Sequence, residues 1–292
     1  MSRPSVFASP LLLLLSLACA GDEKGVDTAT SEGADGTDGT DGTEGTEEPT
    51  WSYEGETGPE YWGTLSEEWS ACSEGTAQSP IDVNSLASEV VDLPLPEITW
   101  GETALSAYNS GHYIRYEVSA GSSLTWNGAT YNLKQFHFHG LSEHTVEGQH
   151  FDVEIHFVHA RADDPNRYAV VAILASAAPE GAVEGVFGEG GALLFPDALA
   201  LPESETPTEL GGTVDLGLAF ADVLATPTIG TYTGSLTTPP CTEGVEFLIL
   251  GTVMPMVPEE VAAFHAVYDF NYRTVQDANG RTVQLMTEGV PE

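Results

Sequence analysis

Residues 133–139 read LKQFHFH, and residues 151–159 read FDVEIHFVH. Polar and aromatic side chains alternate through the first segment, which is typical of a β-strand. Because successive strand side chains point to opposite faces, Gln135, His137 and His139 are expected on one face, with the intervening phenylalanines on the other. The two imidazoles would then stand about 7 Å apart along the backbone, close enough to bind one metal ion.

The second segment predicts a strand that adds a third histidine. Glu154, His156 and Val158 are expected on one face, opposite three apolar side chains. Three neutral imidazoles leave the double charge of a bound ion intact and one tetrahedral position open, which lowers the pKa of a bound water to about 7. Gln135 and Glu154 each precede a histidine of this set by two residues, where they could accept its outer ring proton. Spacing alone does not exclude three further histidines as ligands: His144, His150 and His159.

From residue 51 onward the chain consists of short apolar segments interrupted by Gly, Pro, Asn and Asp. This pattern predicts many strands and few helices, with helical character over Pro258–Val267. Strands and helices do not alternate steadily along the chain, so the pattern does not predict a doubly wound parallel sheet. We expect a mainly β (α+β) single domain, with a large, mostly antiparallel twisted central sheet and short peripheral helices. The candidate strands are Tyr113–Val118, Leu124–Trp126, Leu133–His139, Phe151–His159, Ala169–Ala175 and Val245–Val253.

Residues 1–20 are predicted to be a signal peptide. A basic residue precedes an apolar run, Leu11–Leu15, that is too short to cross a bilayer. Residues 18–20 (ACA) fit a signal peptidase site, whereas residues 16–19 (SLAC) approximate a bacterial lipobox with Cys19 as the lipidated residue. Both patterns place the protein outside the cytoplasm, either membrane-anchored or periplasmic and secreted. We predict the lipoprotein type, with a lipid anchor at the mature N-terminus.

The chain is strongly acidic, with a formal net charge of −37 over 292 residues. Residues 21–50 repeat Gly, Thr, Asp and Glu and are predicted to be a disordered tether, since they cannot bury enough apolar surface to offset the entropy of ordering. Residues 51–292, the predicted catalytic domain, still carry 35 acids against six bases. Such a surface argues against a nucleic-acid partner.

Two cysteines, Cys72 and Cys241, lie in the predicted globular part. An oxidising compartment allows them to pair, so we predict one disulfide. The bridge would close a loop of about 170 residues, for which chain entropy suggests roughly 5 kcal/mol of stabilisation before strain. The alternative is a pair of buried free thiols.

Several motifs together resemble the alpha-class carbonic anhydrases, here of an exported bacterial kind. The resemblance runs from Trp51 to about Arg281 and keeps the family's order. The matching segments are WSYEGETGPEYWG (51–63), AQSPIDV (77–83), NSGH (109–112), QFHFH (135–139), SEHTV (142–146), EIHFVH (154–159), SLTTPPCTEGV (235–245) and NYRTVQ (271–276).

The resemblance implies an enzyme that hydrates carbon dioxide reversibly to bicarbonate and a proton, with zinc as its cofactor. It implies that zinc-bound hydroxide attacks the carbon and that a histidine carries the proton away. The ligands would be His137, His139 and His156, and two of them would be oriented by Gln135 and Glu154. His144 would support the site from behind.

The resemblance also gives Glu143 and Thr237 a shared task. The hydroxide would donate to the Thr237 hydroxyl, which in turn donates to the Glu143 carboxylate, so that a lone pair points at the substrate carbon. From residues 235–240 (SLTTPP) alone, Thr237 would be interpreted as a turn residue. Phe247 stands where the family often has tryptophan. The substrate pocket implied by the family pattern consists of Val158, Val170, Leu236, Thr238, Val245 and Phe247.

His112 matches the family's proton-shuttle position, and imidazole titrates near neutral pH, as such a relay requires. Tyr53 and Ser110 match positions along the water chain that leads to it. Arg115 replaces the small amide common in the family, and a nearby cation would lower the pKa of His112.

Two other functions are compatible with the motifs. A carbonic anhydrase-like binding domain could have lost catalysis, although every matched ligand is present here. A zinc esterase could use the same nucleophile on an activated ester. Three imidazoles also accept cobalt or copper, so zinc rests on the type of site and on the resemblance.

Overall fold

The computed structural model describes residues 49–84, 88–181 and 195–287. The predicted signal peptide, the lipidation candidate Cys19 and the tether up to residue 48 lie outside these residues. Among the described residues, no helix has the length and apolar composition needed to cross a lipid bilayer.

The described residues form fifteen strands and six short α-helices. The strands are β1 (Asp82–Val83), β2 (Glu89–Val91), β3 (Glu97–Thr99), β4 (Glu102–Asn109), β5 (Ile114–Glu117), β6 (Ser123–Trp126), β7 (Ala129–His139), β8 (Thr145–Val146), β9 (Val153–Arg161), β10 (Tyr168–Ala177), β11 (Thr208–Asp215), β12 (Thr228–Ser235), β13 (Glu243–Leu250), β14 (Met254–Met256) and β15 (Gln284–Thr287). The helices are α1 (Trp62–Leu65), α2 (Ala71–Glu74), α3 (Phe195–Leu199), α4 (Leu216–Ala219), α5 (Ala221–Leu224) and α6 (Pro258–Val267). Two 3-10 turns cover Gly55–Thr57 and Glu67–Trp69.

Thirteen strands form one sheet, whose main path runs β11-β4-β5-β7-β9-β10-β13-β12-β15-β2. On this path β10–β13 and β15–β2 are parallel pairs, and the other neighbours are antiparallel. Beside it, β14 pairs with β10, and β6 pairs with β3 and β7, whereas β1 and β8 form a separate two-stranded sheet. The predicted fold class, a mainly β domain on a large, mostly antiparallel sheet with short helices, is confirmed.

The centre of the sheet separates two apolar clusters. Phe136 and Phe138 of β7 pack on one face with Ile155 and Phe157 of β9, all fully buried. On the other face, even-numbered residues of β10 such as Val170 pack with β13. Strand β10 is apolar on both faces because it lies between the clusters, as expected for a central strand.

The predicted element positions are close to the observed ones, with differences at the ends. Helix α6 begins and ends as predicted, and proline occupies its first turn, where its missing N–H costs nothing. Strand β13 ends at Leu250, three residues before the predicted Val253. The prediction missed six strands of two to four residues (β1, β2, β3, β8, β14 and β15) and three of eight residues (β4, β11 and β12), whose small and polar residues weaken the apolar alternation.

One irregularity lies beside the histidine pair of β7. Leu133 pairs with His159 on β9 and Gln135 pairs with Val158, so Lys134 is an extra residue on β7. Such a β-bulge changes the direction of the side chains around it. Because of this extra residue, Leu133 lies on the same face as Phe136 and Phe138, while His137 and His139 lie on the other face.

The predicted disulfide between Cys72 and Cys241 is present. It lies in a buried cluster with Trp62 and Trp69. The buried guanidinium of Arg273 donates to the Cys72 carbonyl at 2.8 Å and lies 5.8 Å over the Trp62 ring. The N-terminal turns are therefore held covalently and by hydrogen bonds against the loop that follows β12.

His159 occupies the apolar face of β9 as a neutral histidine. Its Nδ1 donates to the Phe157 carbonyl at 2.9 Å, and its Nε2 accepts from Trp100 Nε1 at 3.1 Å. Burial lowers its pKa from 6.5 to about 4. Between those values the unfolded chain binds a proton that the folded chain refuses, so stability is lost as the pH falls.

We expect His159→Gln to reduce the loss of stability that occurs as the pH falls below 7. An amide can still accept from Trp100, but it does not take up a proton in the unfolded chain. The free energy of unfolding should fall between pH 7 and pH 4.5 by about 2 kcal/mol more in the wild type than in the variant. Denaturant titrations at both pH values measure this, with exposed His150→Gln as the control. Equal losses in wild type and His159→Gln would contradict the assignment.

Candidate metal centre

Three histidines from two paired strands meet on the face of the sheet opposite the cluster of Phe136, Phe138 and Phe157. His137 on β7 is the register partner of His156 on β9, and His139 follows one pleat later. The ring centroids lie 4.9 Å (His137 to His139), 5.3 Å (His137 to His156) and 4.8 Å (His139 to His156) apart. One nitrogen from each ring lies within 4.8 Å of the other two, and all three residues are buried. The three rings therefore converge as the strand pattern predicts.

Each ring is held by a hydrogen bond at its outer nitrogen. His137 Nδ1 donates to Gln135 Oε1 at 2.9 Å, and His156 Nε2 donates to Glu154 Oε1 at 2.7 Å. His139 Nδ1 donates to the Asn271 backbone carbonyl at 2.7 Å. These acceptors fix the tautomers, so Nε2 of His137 and His139 and Nδ1 of His156 keep their lone pairs. His139 Nε2 is buried and has no hydrogen-bond partner among the described residues.

The electrostatics favour neutral rings at two of the three positions. Burial lowers the pKa of His137 and His139, and neutral imidazole is the form that binds a metal. Burial acts in the same direction on His156, but the Glu154 carboxylate outweighs it and raises the pKa of that ring.

Glu154 is the most heavily bonded polar group behind the histidines. Its carboxylate accepts from the His156 ring, from His144 Nδ1 at 2.6 Å and from the His144 backbone N–H at 2.8 Å. Burial alone would raise its pKa, yet His144 and His156 together lower it well below the usual range. The Tyr232 hydroxyl donates to His144 Nε2 at 2.7 Å and accepts from Ser79 at 2.8 Å.

The histidines that spacing left open have other partners. Both ring nitrogens of His144 are bonded, to Glu154 and Tyr232. His150 is exposed, and its Nδ1 donates to the Ser142 carbonyl at 2.6 Å. His159 lies on the opposite face of the sheet. The converging set is therefore His137, His139 and His156.

Glu143 and Thr237 both lie at the histidine cluster. The buried Glu143 Oε1 accepts from the Arg273 backbone N–H at 2.8 Å. Its Oε2 lies 3.5 Å from His139 Nε2 and has no hydrogen-bond partner among the described residues. Thr237 is buried and lines the cavity over the histidines. Glu143 and Thr237, both among the described residues, are not hydrogen-bonded to each other in the structure, so the shared task stays a prediction.

A cavity of about 90 Å³, called the metal cavity below, is lined by His137 and His156 and does not include His139 among its lining residues. Of the six predicted pocket residues, all but Val245 line it; Val245 is buried in the apolar cluster behind, with Phe247. The Phe247 ring lies 5.8 Å from that of His156 and stacks on Tyr232 at 5.3 Å. The complete lining is Tyr113, Gln135, His137, His156, Val158, Val170, Ser235, Leu236, Thr237, Thr238 and Phe247.

Sequence reasoning missed two contributors to this site. The Tyr113 ring lies 5.0 Å from that of His137 and forms part of the cavity wall. It directly follows the NSGH motif, which was the available signal. The Asn271 carbonyl left no signal, because any residue carries a backbone acceptor. Its side chain also accepts from the Gly140 N–H at 2.7 Å, which fixes the chain there.

His112 lies in the loop between β4 and β5, beside the N-terminal aromatic residues. Its ring stacks on Trp51 with centroids 3.8 Å apart, and Nε2 donates to the Trp51 carbonyl at 2.9 Å. His112 and Tyr53 line a groove of about 420 Å³ that shares no lining residue with the metal cavity. The Tyr53 hydroxyl is buried without a partner among the described residues, and burial raises the pKa of that group. Ser110 uses its hydroxyl within the loop, donating to the Tyr113 carbonyl at 3.2 Å.

Arg115 faces the metal side of the sheet. It pairs in register with His137, binds Glu117 at 2.8 Å and lies 5.5 Å over the Tyr108 ring. Its charge also helps to lower the pKa of His137, after burial and the two neighbouring histidines. The predicted effect of Arg115 on His112 stays a prediction.

Comparison with known proteins places this geometry in a family. A carbonic anhydrase from Klebsiella pneumoniae is 33% identical over 236 residues, which cover 80% of this chain and 89% of that protein. A carbonic anhydrase from Neisseria gonorrhoeae is 35% identical over 236 residues, covering 80% and 86%. The solved alpha-carbonic anhydrase of Thermovibrio ammonificans, in complex with the inhibitor sulfanilamide, has a TM-score of 0.70 and 33% identity, covering 82% of this chain and all of that one.

The sequence profile of the eukaryotic-type carbonic anhydrases matches residues 57–287, which include every residue of the metal centre described above. The match therefore spans most of the chain as well as the site. The chain belongs to the eukaryotic-type, or alpha-class, carbonic anhydrase family and is an enzyme of that family, which hydrates carbon dioxide.

Proposed function

We propose that this enzyme hydrates carbon dioxide reversibly with zinc held by His137, His139 and His156, and that His112 relays the proton. The observation that carries the proposal is the convergence of three buried ring nitrogens within 4.8 Å of one another. Each ring donates its outer proton to a different acceptor. The tautomer and orientation of each ring are therefore fixed before an ion binds.

The donor set fits zinc. Zinc accepts imidazole nitrogen in tetrahedral sites, and three protein ligands are typical of catalytic sites that keep one position open. The buried, unpartnered His139 Nε2 is the kind of atom that an ion would satisfy. When bound, zinc supplies the Lewis acidity that makes a water molecule nucleophilic near neutral pH.

Glu143 and Thr237 are proposed to orient the attacking water. An ionised carboxylate can only accept hydrogen bonds, and Glu143 Oε2 has no donor among the described residues. A Thr237 hydroxyl that donates to it keeps only lone pairs for the water, so the water must donate to Thr237. This one-way arrangement would point an oxygen lone pair into the cavity.

The apolar side of the cavity is proposed to hold carbon dioxide. Val158, Val170 and Leu236 line it together with Phe247. Carbon dioxide is small and carries no net charge, so such a wall can hold it without competing for the polar groups opposite. Val245 is proposed to act behind the wall by supporting Phe247.

His112 has the bonding state that a proton relay needs. Because a carbonyl can only accept, the Nε2 next to Trp51 carries the proton and Nδ1 keeps its lone pair. Nδ1 can take a proton and Nε2 can release one to buffer. Tyr53 is proposed to line the water path, since its hydroxyl is buried and unpartnered among the described residues.

An extracytoplasmic location is also proposed. The disulfide between Cys72 and Cys241 is compatible with an oxidising compartment. The proposed organisation is a lipoprotein signal peptide over residues 1–20, a tether over 21–50 and the catalytic domain over 51–292, with Cys19 as the lipidated residue.

We expect the native protein to contain one zinc ion per chain and to lose carbon dioxide hydration when a chelator removes it. Metal analysis and a hydration assay before and after zinc is restored measure both properties. His139→Ala should lower zinc affinity by at least about 100-fold, because only two imidazoles remain. His150→Ala, which alters a histidine bonded elsewhere, is the control and should keep both zinc and activity.

Hydration by protein that contains no metal would refute the zinc proposal. Hydrolysis of an activated ester without hydration of carbon dioxide would favour an esterase instead. Absence of both activities in zinc-loaded protein would indicate a binding role.

Glu154→Gln should weaken zinc binding by about 10- to 100-fold. Glu154 accepts three hydrogen bonds, and an amide supplies one acceptor oxygen and places an N–H where a ring N–H now donates. Competition with a chelator measures the affinity. The control is Glu209→Gln on β11, an exposed residue, which should leave it unchanged. Wild-type affinity in Glu154→Gln would contradict the orienting role.

His112→Ala should lower turnover by about tenfold or more in weak buffer, because proton release then becomes limiting. Added imidazole should restore most of the loss, whereas zinc content should not change. Stopped-flow hydration at low and high buffer concentration makes the comparison. Turnover that is the same as the wild type's in weak buffer would remove His112 from the proton path.

A further inference from the structure

The few basic residues of this acidic chain are unevenly distributed. The described part of the chain holds six Lys and Arg side chains. Arg273 and Arg281 donate to backbone carbonyls in the folded interior and at its edge. The other four lie on β5, on β7 and around the β9–β10 connection: Arg115, Lys134, Arg161 and Arg167. These strands are neighbours in the sheet, so the four cations share one region of the molecule.

Two of these cations line a groove that adjoins the metal cavity. The groove has a volume of about 610 Å³. Gln135, Val158 and Leu236 line both spaces, so the groove and the cavity share a wall. The complete lining is Arg115, Glu117, Val118, Lys134, Gln135, Val158, Ala160, Pro165, Tyr168 and Leu236.

The backbone explains why both cations face this groove. Arg115 and Glu117 on β5 pair in register with His137 and Gln135 on β7, so all four project from the metal face of the sheet. Lys134 would point to the opposite face in a regular strand. As the extra residue of the β7 bulge it is released from that alternation, and it lines the groove beside Gln135.

The groove carries an excess of positive charge. Glu117 is the acid among its described lining residues, and it bonds one nitrogen of Arg115 at 2.8 Å. Arg115 Nε is buried without a hydrogen-bond partner among the described residues, and Lys134 is exposed. Arg115 therefore keeps donors that Glu117 does not use. The domain has 35 acids and six bases, so most of its surface repels anions. The groove differs because its net positive charge attracts them.

We propose that the Arg115–Lys134 groove is a binding site for small carboxylate-like anions, and that bicarbonate occupies it on its way to and from the metal cavity. The identification of bicarbonate rests on the proposed hydration of carbon dioxide, which produces that anion. The two cations offset locally the repulsion between the anionic domain and the anion, most strongly at low ionic strength.

Formate is a suitable probe because it is a planar, monovalent carboxylate that the enzyme does not convert. The protein is titrated with carbon-13-labelled formate at constant low ionic strength, both with its metal and after a chelator has removed it, because formate would also coordinate the open metal position. Line broadening of the formate resonance that persists without the metal reports binding in the groove. Inhibition of hydration by formate gives a second measure.

The doubly substituted Arg115→Gln/Lys134→Gln protein should bind formate about three- to tenfold more weakly than the wild type. The matched control, Arg161→Gln/Arg167→Gln, removes the same charge from two residues that do not line the groove, and should change binding less than about twofold. Arg115→Lys and Lys134→Arg keep the charges and should retain most of the affinity. Raising the ionic strength should diminish the difference between the two double variants.

Equal weakening in both double variants would show a general charge effect and overturn the proposed site, as would no weakening in either. If the line-broadening results hold but the wild type hydrates no carbon dioxide, the anion site stands and the proposed function fails. If the wild type hydrates carbon dioxide but both double variants bind formate equally well, the proposed function stands and the anion site fails.

Discussion

The pairing of β7 with β9 is the constraint on which the site depends. His137 opposite His156 sets two rings at the separation of a strand pair, and the pleat adds His139 on the same face. The same register sends Phe136, Phe138 and Phe157 to the other face, where they form part of the main apolar cluster. A slip of one residue would bury imidazoles in that cluster and expose the aromatic rings. Core packing and ligand placement are therefore enforced by the same hydrogen bonds.

A metal site built on a buried strand face requires polar partners inside the protein. Glu154, His144 and Tyr232 form a continuous hydrogen-bonded series behind His156, and Ser79 extends it. Each member has a hydrogen-bond partner. This avoids the cost of roughly 1–3 kcal/mol that a buried unsatisfied polar group would carry. The exceptions among the described residues include His139 Nε2 and Glu143 Oε2, which face the proposed ion and water. The groups that support His156 are thus hydrogen-bonded, whereas the two atoms that face the proposed ion and water are not.

Strand periodicity predicted much of this site because the controlling feature is local. Parity alone placed Gln135, His137 and His139 on one face, and it made Glu154 a neighbour of His156. Parity could not assign His144 and His150, because both lie outside the strands, whereas His159 lies on β9 at the opposite parity to His156. Nor could it supply the carbonyl of Asn271, which comes from a segment more than 130 residues away and carries no side-chain signature. The family resemblance supplied Glu143 and Thr237, whose proximity arises only when loops after different strands meet.

The features that escaped prediction lie in the backbone around the metal face. The bulge at Lys134 shifts the buried apolar positions of β7 from odd (Tyr131, Leu133) to even (Phe136, Phe138), which the regular strand predicted over 133–139 does not accommodate. Arg115 was interpreted through its distance along the chain from His112, whereas antiparallel pairing places it opposite His137. In both cases the relevant neighbour is across the sheet and not along the chain.

These placements give the surroundings of the metal cavity two different characters. His112 and Tyr53 line a groove with Glu54 and Asp269 that shares no lining residue with the cavity, and its acidic groups would favour a departing cation. By contrast, Arg115 and Lys134 line a groove that shares a wall with the cavity. Hydration of carbon dioxide yields one proton and one anion, and a single exit would bring the two charges back together. If the proton leaves by way of His112 and the anion by way of Arg115 and Lys134, as proposed, each product would leave along a favourable potential, which on so acidic a protein matters most for the anion.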